Sequence, residues 1–239
     1  MSSEATLEVE RRPLVVIGDA FGASPREAAR LAAALGVGIE AVFVEDEDLV
    51  RVAGLPFASL VRATGSMAPL SRDSFERMIR SARLEAERAL LDAAKALSSA
   101  TFRARIGRFE AVIRLELARA DIVVLAARGP RVRSGPVVIV VRGPADLSLE
   151  PLIRRSLERG EFVILTDEHG RRTAERLSKL SGTPIQTSSR GLARGVAELR
   201  SRLVIIAASG DAVSTSMMIR TELGCPVAIV DGPYEASGS

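Results

Sequence analysis

The sequence predicts an α/β protein built from two tandem, doubly wound parallel sheets, and three observations support this fold class. Short apolar runs rich in β-branched residues alternate with segments whose apolar residues recur every three or four positions, as in amphipathic helices. The two halves of the chain carry matching stretches in the same order. One connection between two apolar runs is too short to contain a helix. Together these features place a domain boundary near the middle of the chain.

The first half alternates strands and helices. Strands are predicted at residues 13–17, 39–44, 102–106 and 121–127, and helices at 25–35, 72–97 and 109–119, with an irregular segment at 49–69. Ser24 can cap the first helix, with Pro25 in its first position and Glu27 completing a capping box. The acidic run 45–48 is interpreted as a solvated loop, because it has no histidine and lacks the glycine of an EF-hand turn.

The second half begins with the most continuously apolar run of the chain, PVVIVVR at residues 136–142. Such a run is typical of a strand buried on both faces. Only residues 128–135 separate it from the strand at 121–127, whereas a crossover between parallel neighbours needs roughly 10 residues or more. The run is therefore expected to open a second sheet. Further strands are predicted at 161–166, 184–187, 202–207 and 226–230, and helices at 149–159, 173–180, 192–199 and 216–223.

The two halves can be aligned with each other. The matching stretches are 13–17 with 136–140, and 121–129 (DIVVLAARG) with 202–210 (RLVIIAASG). This internal duplication divides the chain into a first domain at 12–133 and a second domain at 134–233. Residues 1–11 and 234–239 are expected to be flexible tails.

Composition argues against several classes of function. The 239 residues carry a formal net charge of +3, and the arginines are spread among glutamates, which is typical of solvated helix faces and not of a nucleic-acid-binding patch. Without Trp and with one Tyr, the chain has no platform on which bases could stack. A single cysteine excludes an internal disulfide, and no apolar run approaches about 18 residues. We expect a cytoplasmic, soluble protein that binds neither nucleic acid nor membrane.

Few residues are suited to catalysis. His169 is the only histidine and lies in a turn after a strand, and Cys225 has no base or second cysteine near it in the sequence. A solvent-exposed or structural role is the favoured interpretation for His169, and a small buried apolar role for Cys225. No cluster of ligand residues indicates a metal site.

Several stretches resemble the universal stress protein family. They are the strand and Asp-x-x-Gly-x-Ser turn with Asp19, Gly22 and Ser24, the long second helix, the DIVVLAARG strand, and GCPVAIV at 224–230. The resemblance covers residues 12–232. It implies a tandem protein with Rossmann-like sheets of strand order 3-2-1-4-5, in which the first domain lacks its last helix and its edge strand.

The resemblance also implies where a nucleotide would bind. ATP-binding members of the family hold adenine with an aspartate after strand 1 and a residue of strand 2, and hold the phosphates with a glycine loop after strand 4. Asp19 and Val44 correspond to the first two positions, and Gly129 corresponds to the first glycine. In the second domain Arg142 replaces the aspartate, while Ser214 matches the serine of the loop. Neither domain carries the complete glycine spacing.

Two groups of residues could compensate for the incomplete loops. Arg128 and Arg131 follow the fourth strand beside Asp19, where guanidinium groups could meet an anion. The alternative is a solvated basic loop between the domains. Ser214 and Ser216 lie at the start of the last helix and could hold a phosphate, whereas the simpler alternative is N-capping by Ser214.

Three functions follow from these features. The favoured one is a non-catalytic, universal-stress-type regulatory protein that acts through protein contacts. Its last strand, with Pro226 and Ile229, would be an edge and could pair with a second copy to form a homodimer. The alternative is a sensor that binds ATP, AMP or another adenine nucleotide, or a small anion, in the first domain. An ATP hydrolase is the least favoured, because no general base, metal ligands or complete loop is evident.

Overall fold

The apolar, β-branched runs form the strands of a nine-stranded sheet in the computed structural model. The structure describes residues 12–22, 24–61, 65–128, 134–150, 152–153, 162–189, 191–208 and 211–231. The two predicted tails lie outside the described residues, as does most of the helix predicted at 149–159.

Strands and helices alternate along the described chain, which confirms the α/β class. The strands are β1 (Leu14–Asp19), β2 (Ile39–Asp46), β3 (Ser59–Val61), β4 (Met67–Pro69), β5 (Ala100–Gly107), β6 (Ile122–Leu125), β7 (Val137–Val141), β8 (Phe162–Thr166), β9 (Ile185–Thr187), β10 (Leu203–Ala207) and β11 (Val227–Val230). The helices are α1 (Arg26–Leu35), α2 (Glu47–Ala53), α3 (Arg72–Ala93), α4 (Phe109–Leu117), α5 (Arg171–Ser181), α6 (Leu192–Glu198) and α7 (Ala212–Leu223). Short 3-10 turns cover Ala94–Ala96 and Pro144–Leu149.

The strands of the large sheet are ordered β5-β2-β1-β6-β11-β10-β7-β8-β9. Neighbouring strands are parallel throughout, except for β6 and β11, which are antiparallel. The sheet is therefore mixed but mostly parallel. Strands β3 and β4 form a separate small hairpin.

The expectation that residues 136–142 open a second sheet is wrong, because both halves contribute to one sheet. Strands β6 and β7 are nevertheless not neighbours, since β11 and β10 lie between them. The short connection thus excludes direct parallel pairing, but it does not exclude membership of the same sheet. The two halves are joined by the antiparallel pair of β11 and β6, in which Ala228 lies opposite Val124.

Strand β11 is also not the edge strand that the sequence suggested. It pairs with β10 on one side and with β6 on the other, so that Ile229 lies between Ile206 and Val123. Ile229 is 0% exposed, and Pro226 is buried as well. The proposed route to a homodimer through Pro226 and Ile229 is therefore wrong, because that backbone edge is already paired within the chain. The edges of the described sheet are β5 and β9.

The apolar core runs through both halves, with one layer on each face of the sheet. One layer includes Leu14 and Leu35 from the first half with Ile139 and Ile205 from the second. The other layer likewise joins residues of β1 and α4 to residues of β10 and α7. Folding of one half therefore buries apolar surface that belongs to the other.

Four local predictions differ from the structure. The segment predicted to be irregular, 49–69, contains most of α2 and the β3–β4 hairpin. Pro25 occupies the N-cap position of α1 and no described side chain caps that helix, so Ser24 does not form the predicted capping box. The acidic run taken as a loop contains the start of α2, where Asp46 accepts a hydrogen bond from the backbone N–H of Asp48 at 2.9 Å. Helix α7 begins four residues earlier than predicted, so Ser214 lies inside the helix and does not cap it.

Within the described ranges, no helix combines the length and the apolar character that a bilayer crossing requires.

Candidate functional site

Asp19 lies at the carboxyl end of β1, and the register of the sheet places it beside Val44 of β2. Strand β1 lies between β2 and β6. From β1 the chain first adds strands on the β2 side and later places β6 on the other side, so the strand order reverses at β1. In open parallel sheets, ligands bind outside the carboxyl ends of the strands at such a point. The structure therefore brings two of the predicted site residues together at the place where a ligand would be expected.

A tight turn fixes the backbone after Asp19. Asp19 and Gly22 exchange two backbone hydrogen bonds of 3.1 Å, and the backbone N–H of Phe21 donates to Asp19 Oδ1 at 2.9 Å. A Cβ atom at Gly22 would lie 1.9 Å from the backbone oxygen of Ala127. Glycine is required here because the turn packs directly against the chain that leaves β6.

Two arginines enclose the carboxylate of Asp19. Arg220 Nη2 lies 3.0 Å from Oδ1, and Arg128 Nη2 lies 3.2 Å from Oδ2. Asp19 is 1% exposed and Arg220 is 0% exposed. Each carboxylate oxygen thus has a cationic partner, and the group is shielded from solvent. We call Asp19, Arg128 and Arg220 the Asp19 cluster.

Arg220 belongs to α7 in the second half and reaches into the first half. Its Nε donates to the backbone oxygen of Ala126 at 2.7 Å, and its Nη2 lies 3.4 Å from the backbone oxygen of Gly22. The guanidinium carbon lies 4.3 Å from the centre of the Phe109 ring, within the range of a cation–π interaction. Arg220 therefore joins α7, α4 and the turn after β1.

Burial dominates the electrostatics of Arg220. It lowers the pKa of the guanidinium, Asp19 acts in the opposite direction, and the nearby charge of Arg128 lowers the pKa further. An arginine nevertheless stays protonated in proteins, so the cluster contains a fully buried positive charge. A carboxylate and two backbone oxygens offset the cost of burying Nε and Nη2, whereas Nη1 has no hydrogen-bond partner among the described residues.

Sequence reasoning missed Arg220. The signal that could have found it is the helical period, because Arg220 shares one face of α7 with the buried residues Val213 and Ser216. An arginine on a buried face needs a carboxylate or carbonyl partner. Which partner it has depends on how the two halves pack, and no local pattern contains that information.

The remaining predicted site residues are dispersed. Gly129 and Arg131 lie outside the described residues. Ser24 is exposed beside a groove between α1 and α3. Ser214 is exposed on α7, whereas Ser216 is buried with no hydrogen-bond partner for its Oγ among the described residues. Helix α7 follows β10, which is parallel to β11, whereas β11 is antiparallel to β6 and therefore to β1. The start of α7 thus lies at the opposite end of the strands from Asp19.

Arg142 directly follows β7, the first strand of the second half. Its position resembles that of Asp19 at the end of β1, the first strand of the first half. Its Nη1 lies 2.5 Å from Asp211 Oδ1 and 3.5 Å from Thr215 Oγ1. Burial would raise the pKa of Asp211, but the bonds from Thr215 and Arg142 outweigh it and lower the pKa. The equivalent point of the second half thus also carries an ion pair, with acid and base exchanged.

Asp146 holds the backbone that follows β7, and replacing it should destabilise the chain. The buried Asp146 Oδ2 accepts hydrogen bonds from the backbone N–H groups of Arg142 and, at 2.9 Å, Gly143. We expect Asp146→Ala to lower the free energy of unfolding in urea by about 1–3 kcal/mol, because two N–H groups lose their acceptor. Asp167→Ala, which removes one such bond to Gly170 at a less buried turn, is the matched control with a smaller expected loss. Equal losses would contradict the role given to Asp146.

His169 is exposed to solvent and Cys225 is buried, in agreement with the interpretations made from the sequence. The His169 side chain is solvent-exposed, with Nδ1 4.0 Å from Asp167 Oδ1. Cys225 is buried, and its thiol donates to the backbone oxygen of Ser201 at 3.1 Å. Among the described residues, no three histidine, cysteine, aspartate or glutamate side chains are grouped to hold a metal ion.

The best-defined polar site of the described chain is therefore the Asp19 cluster, which is assembled from both halves. Its geometry is that of a buried ion network, and its only acidic group is already bonded by arginine. When the chain is compared with models of known protein families and with curated protein sequences, no match is found.

Proposed function

We propose that the chain is a universal-stress-type regulatory protein that acts through protein contacts and not through catalysis or nucleotide binding. The observation that carries this proposal is the state of Asp19, whose two oxygens are bonded by Arg220 and Arg128. By resemblance, this is the carboxylate that would face adenine in an ATP-binding member of the family. Here Arg220 and Arg128 of the chain itself bond to that carboxylate.

The strand order supports a tandem arrangement of two such domains. Numbered within each half, β5-β2-β1-β6 reads 3-2-1-4, and β9-β8-β7-β10-β11 reads 3-2-1-4-5. These are the orders expected for a first domain without its last strand, at 12–133, and a complete second domain, at 134–233. Strand β11 covers the side of β6 that a fifth strand of the first domain would have covered, although it runs in the opposite direction.

Displacement of Arg220 by adenine would be unfavourable. Separating a buried ion pair leaves each charge with a desolvation penalty of several kcal/mol. A hydrogen bond from a neutral base to a carboxylate contributes about 1.5–3 kcal/mol, which does not offset that penalty. We therefore expect adenine nucleotides to bind weakly or not at all at Asp19.

Exposed apolar side chains support a role in protein contacts. The segment from α2 through the β3–β4 hairpin exposes several of them: Val52, Leu55, Phe57, Val61 and Met67. Single apolar residues at a surface are common, but several exposed within one short segment are typical of contact surfaces. This segment follows β2 and precedes α3.

The proposal predicts that calorimetric titration of the full chain with ATP, ADP, AMP or cyclic AMP gives no binding heat at millimolar ligand. The protein purified without added ligand should also release no nucleotide detectable by mass spectrometry. A nucleotide bound with a Kd below about 100 µM, and lost in a folded Asp19→Asn variant, would contradict the proposal. It would favour the adenine-nucleotide sensor instead.

A further inference from the structure

The outer edge of β5 is unpaired in the part of the chain that the structure describes. Strand β5 stands first in the strand order and pairs with β2 on its inner side. It has eight residues, whereas β9 at the opposite edge has three. Proteins commonly protect a long edge with proline, charged side chains or a covering element. Strand β5 contains neither proline nor lysine, and its charged residues are Arg103 and Arg105.

The register determines which backbone groups of β5 face outward. The backbone N–H of Ile39 donates to the oxygen of Ser99 at 3.0 Å, and a parallel pair uses alternate residues for its hydrogen bonds. The odd-numbered residues of β5 therefore bond to β2. The N–H and C=O groups of Phe102, Ala104 and Ile106 face away from β2, and no described backbone group bonds to them.

A cavity of about 760 Å³ opens beside the carboxyl end of this edge. Its apolar lining comes from Val50, Leu55, Ile79 and Ile106. Ile106 is 74% exposed, although it lies on the same strand as the half-buried Phe102. An apolar side chain carried by an added strand could enter this cavity and cover Ile106.

Most of the charged side chains around the cavity are paired with each other. Four arginines and three glutamates line the cavity, and two of the glutamates are already paired, Glu45 with Arg83 and Glu76 with Arg72. Among the lining residues, Arg80 and Glu47 make no ion pair with a described side chain, and Arg51 pairs with Asp48. The Nε of Arg80 lies 3.4 Å from a backbone oxygen. The charges of the cavity therefore nearly balance, and the cavity favours an apolar side chain over an acidic one.

The arginines of β5 itself lie on the other face of the strand. Arg103 bonds Glu116 at 2.6 Å and also contacts Glu40. Burial would lower the pKa of Arg103, but the bonds to these two carboxylates outweigh it and raise the pKa. Arg105, which is partly exposed, lies 3.4 Å from the buried Glu116 and shares that carboxylate with Arg103 and Arg119. Among the described carboxylates, Arg105 thus has none that it does not share.

We propose that the outer edge of β5 binds an extended segment of a partner protein in which acidic residues alternate with apolar ones. Such a segment would bond to the outward backbone groups of Phe102, Ala104 and Ile106, place its acids beside Arg105, and place an apolar side chain over the cavity. Alternation is required because successive side chains of a strand point to opposite faces. The inference rests on the proposed function, since it names a surface for the protein contacts.

A second copy of the same strand fits this edge less well. Antiparallel pairing centred on Ala104 would match the outward backbone groups of two copies. It would also place Arg103 of one chain opposite Arg105 of the other, and like charges directly opposite each other destabilise a strand pair. The arginines therefore disfavour self-pairing and favour an acidic strand.

The test is fluorescence anisotropy of a labelled peptide titrated with the full chain. The peptide has eight residues, the length of β5, with glutamate and valine in alternation. A matched peptide carries lysine at each glutamate. We expect the acidic peptide to bind, with an affinity that falls as salt is added, and the basic peptide not to bind.

Two variants locate the binding surface. Ala104→Pro removes an outward N–H without removing a bond to β2, and Ile106→Glu puts negative charge beside the cavity. Each should weaken binding of the acidic peptide by at least about tenfold, which corresponds to about 1.4 kcal/mol. Leu180→Glu, an exposed apolar position on α5, is the control and should leave binding unchanged. If circular dichroism shows that Ala104→Pro is unfolded, Ile106→Glu decides the question.

Several results would overturn the inference. They are equal binding of the two peptides, no binding at millimolar chain, and binding that the folded edge variants leave unchanged. Self-association of the chain that Ala104→Pro abolishes would identify a second copy as the occupant and would equally overturn it. None of these results alters the nucleotide titration, so failure of this inference is distinguishable from failure of the proposed function.

Discussion

Ile229→Lys is expected to prevent the chain from folding. Ile229 lies on β11 between Ile206 and Val123, at the place where the two halves of the sheet meet, and it is 0% exposed. An ammonium group there would lose its hydration at a cost of several kcal/mol, and the packing of the isoleucine would be lost as well. Because a whole domain is stable by only about 5–15 kcal/mol, this change approaches the entire stability. The measurement is far-UV circular dichroism with urea denaturation.

Two control variants separate charge burial from the general effect of substitution at this strand. Ile229→Val should lower the free energy of unfolding by about 0.5–1.5 kcal/mol. Ile106→Lys, on the unpaired edge of β5, should fold normally. A folded Ile229→Lys protein that merely changed from dimer to monomer would mean that β11 is an edge after all, and would contradict the nine-stranded sheet.

Arg220→Met is expected to lower the free energy of unfolding by roughly 3–5 kcal/mol, the range for removing one partner of a buried ion pair. Asp19 would remain buried with Arg128 alone, the backbone oxygen of Ala126 would lose the bond from Arg220, and that of Gly22 would keep only the bond from the N–H of Asp19. Methionine keeps much of the apolar volume, so the loss reports mainly on charge and hydrogen bonding. Urea denaturation of the variant and the parent chain measures it.

The second arginine of the cluster provides the control. Arg128 is partly exposed, so Arg128→Met should cost less than Arg220→Met. Arg220→Lys keeps the charge but cannot bond Asp19 and the Ala126 oxygen with one planar fork, so it should recover only part of the stability. A loss below about 1 kcal/mol for Arg220→Met would show that the cluster contributes little.

Much of the sheet could be predicted from the sequence, because buried parallel strands are continuous apolar runs. The runs at 136–142 and 202–207 were recognisable for this reason and correspond to β7 and β10. The pairing of β11 with β6 could not be predicted from either strand alone, since it depends on which edge remains free after each half has formed. The run at 226–230 did contain a hint: it is apolar on both faces, as a central strand is.

The only part of the candidate site that could be predicted is the part formed by residues at the ends of neighbouring strands. Asp19 and Val44 meet because neighbouring parallel strands end at the same sheet edge. Arg220 was not predictable as their neighbour, because it arrives from a helix of the other half, 201 positions further along the chain. The early start of α7, which moves Ser214 inside the helix, did have a signal in Asp211, because aspartate is a favoured N-cap residue, although its side chain makes no cap bond here.

A double-mutant cycle tests the central claim most directly. The claim is that Arg220 forms a stabilising ion pair with the carboxylate of Asp19. The free energies of unfolding of the parent chain, Asp19→Asn, Arg220→Met and the double variant give the coupling energy between the two side chains. We expect a favourable coupling of at least about 1.5 kcal/mol, in the upper part of the range for residues in one buried network. A coupling within about 0.3 kcal/mol of zero would contradict the claim and leave Asp19 open to a ligand.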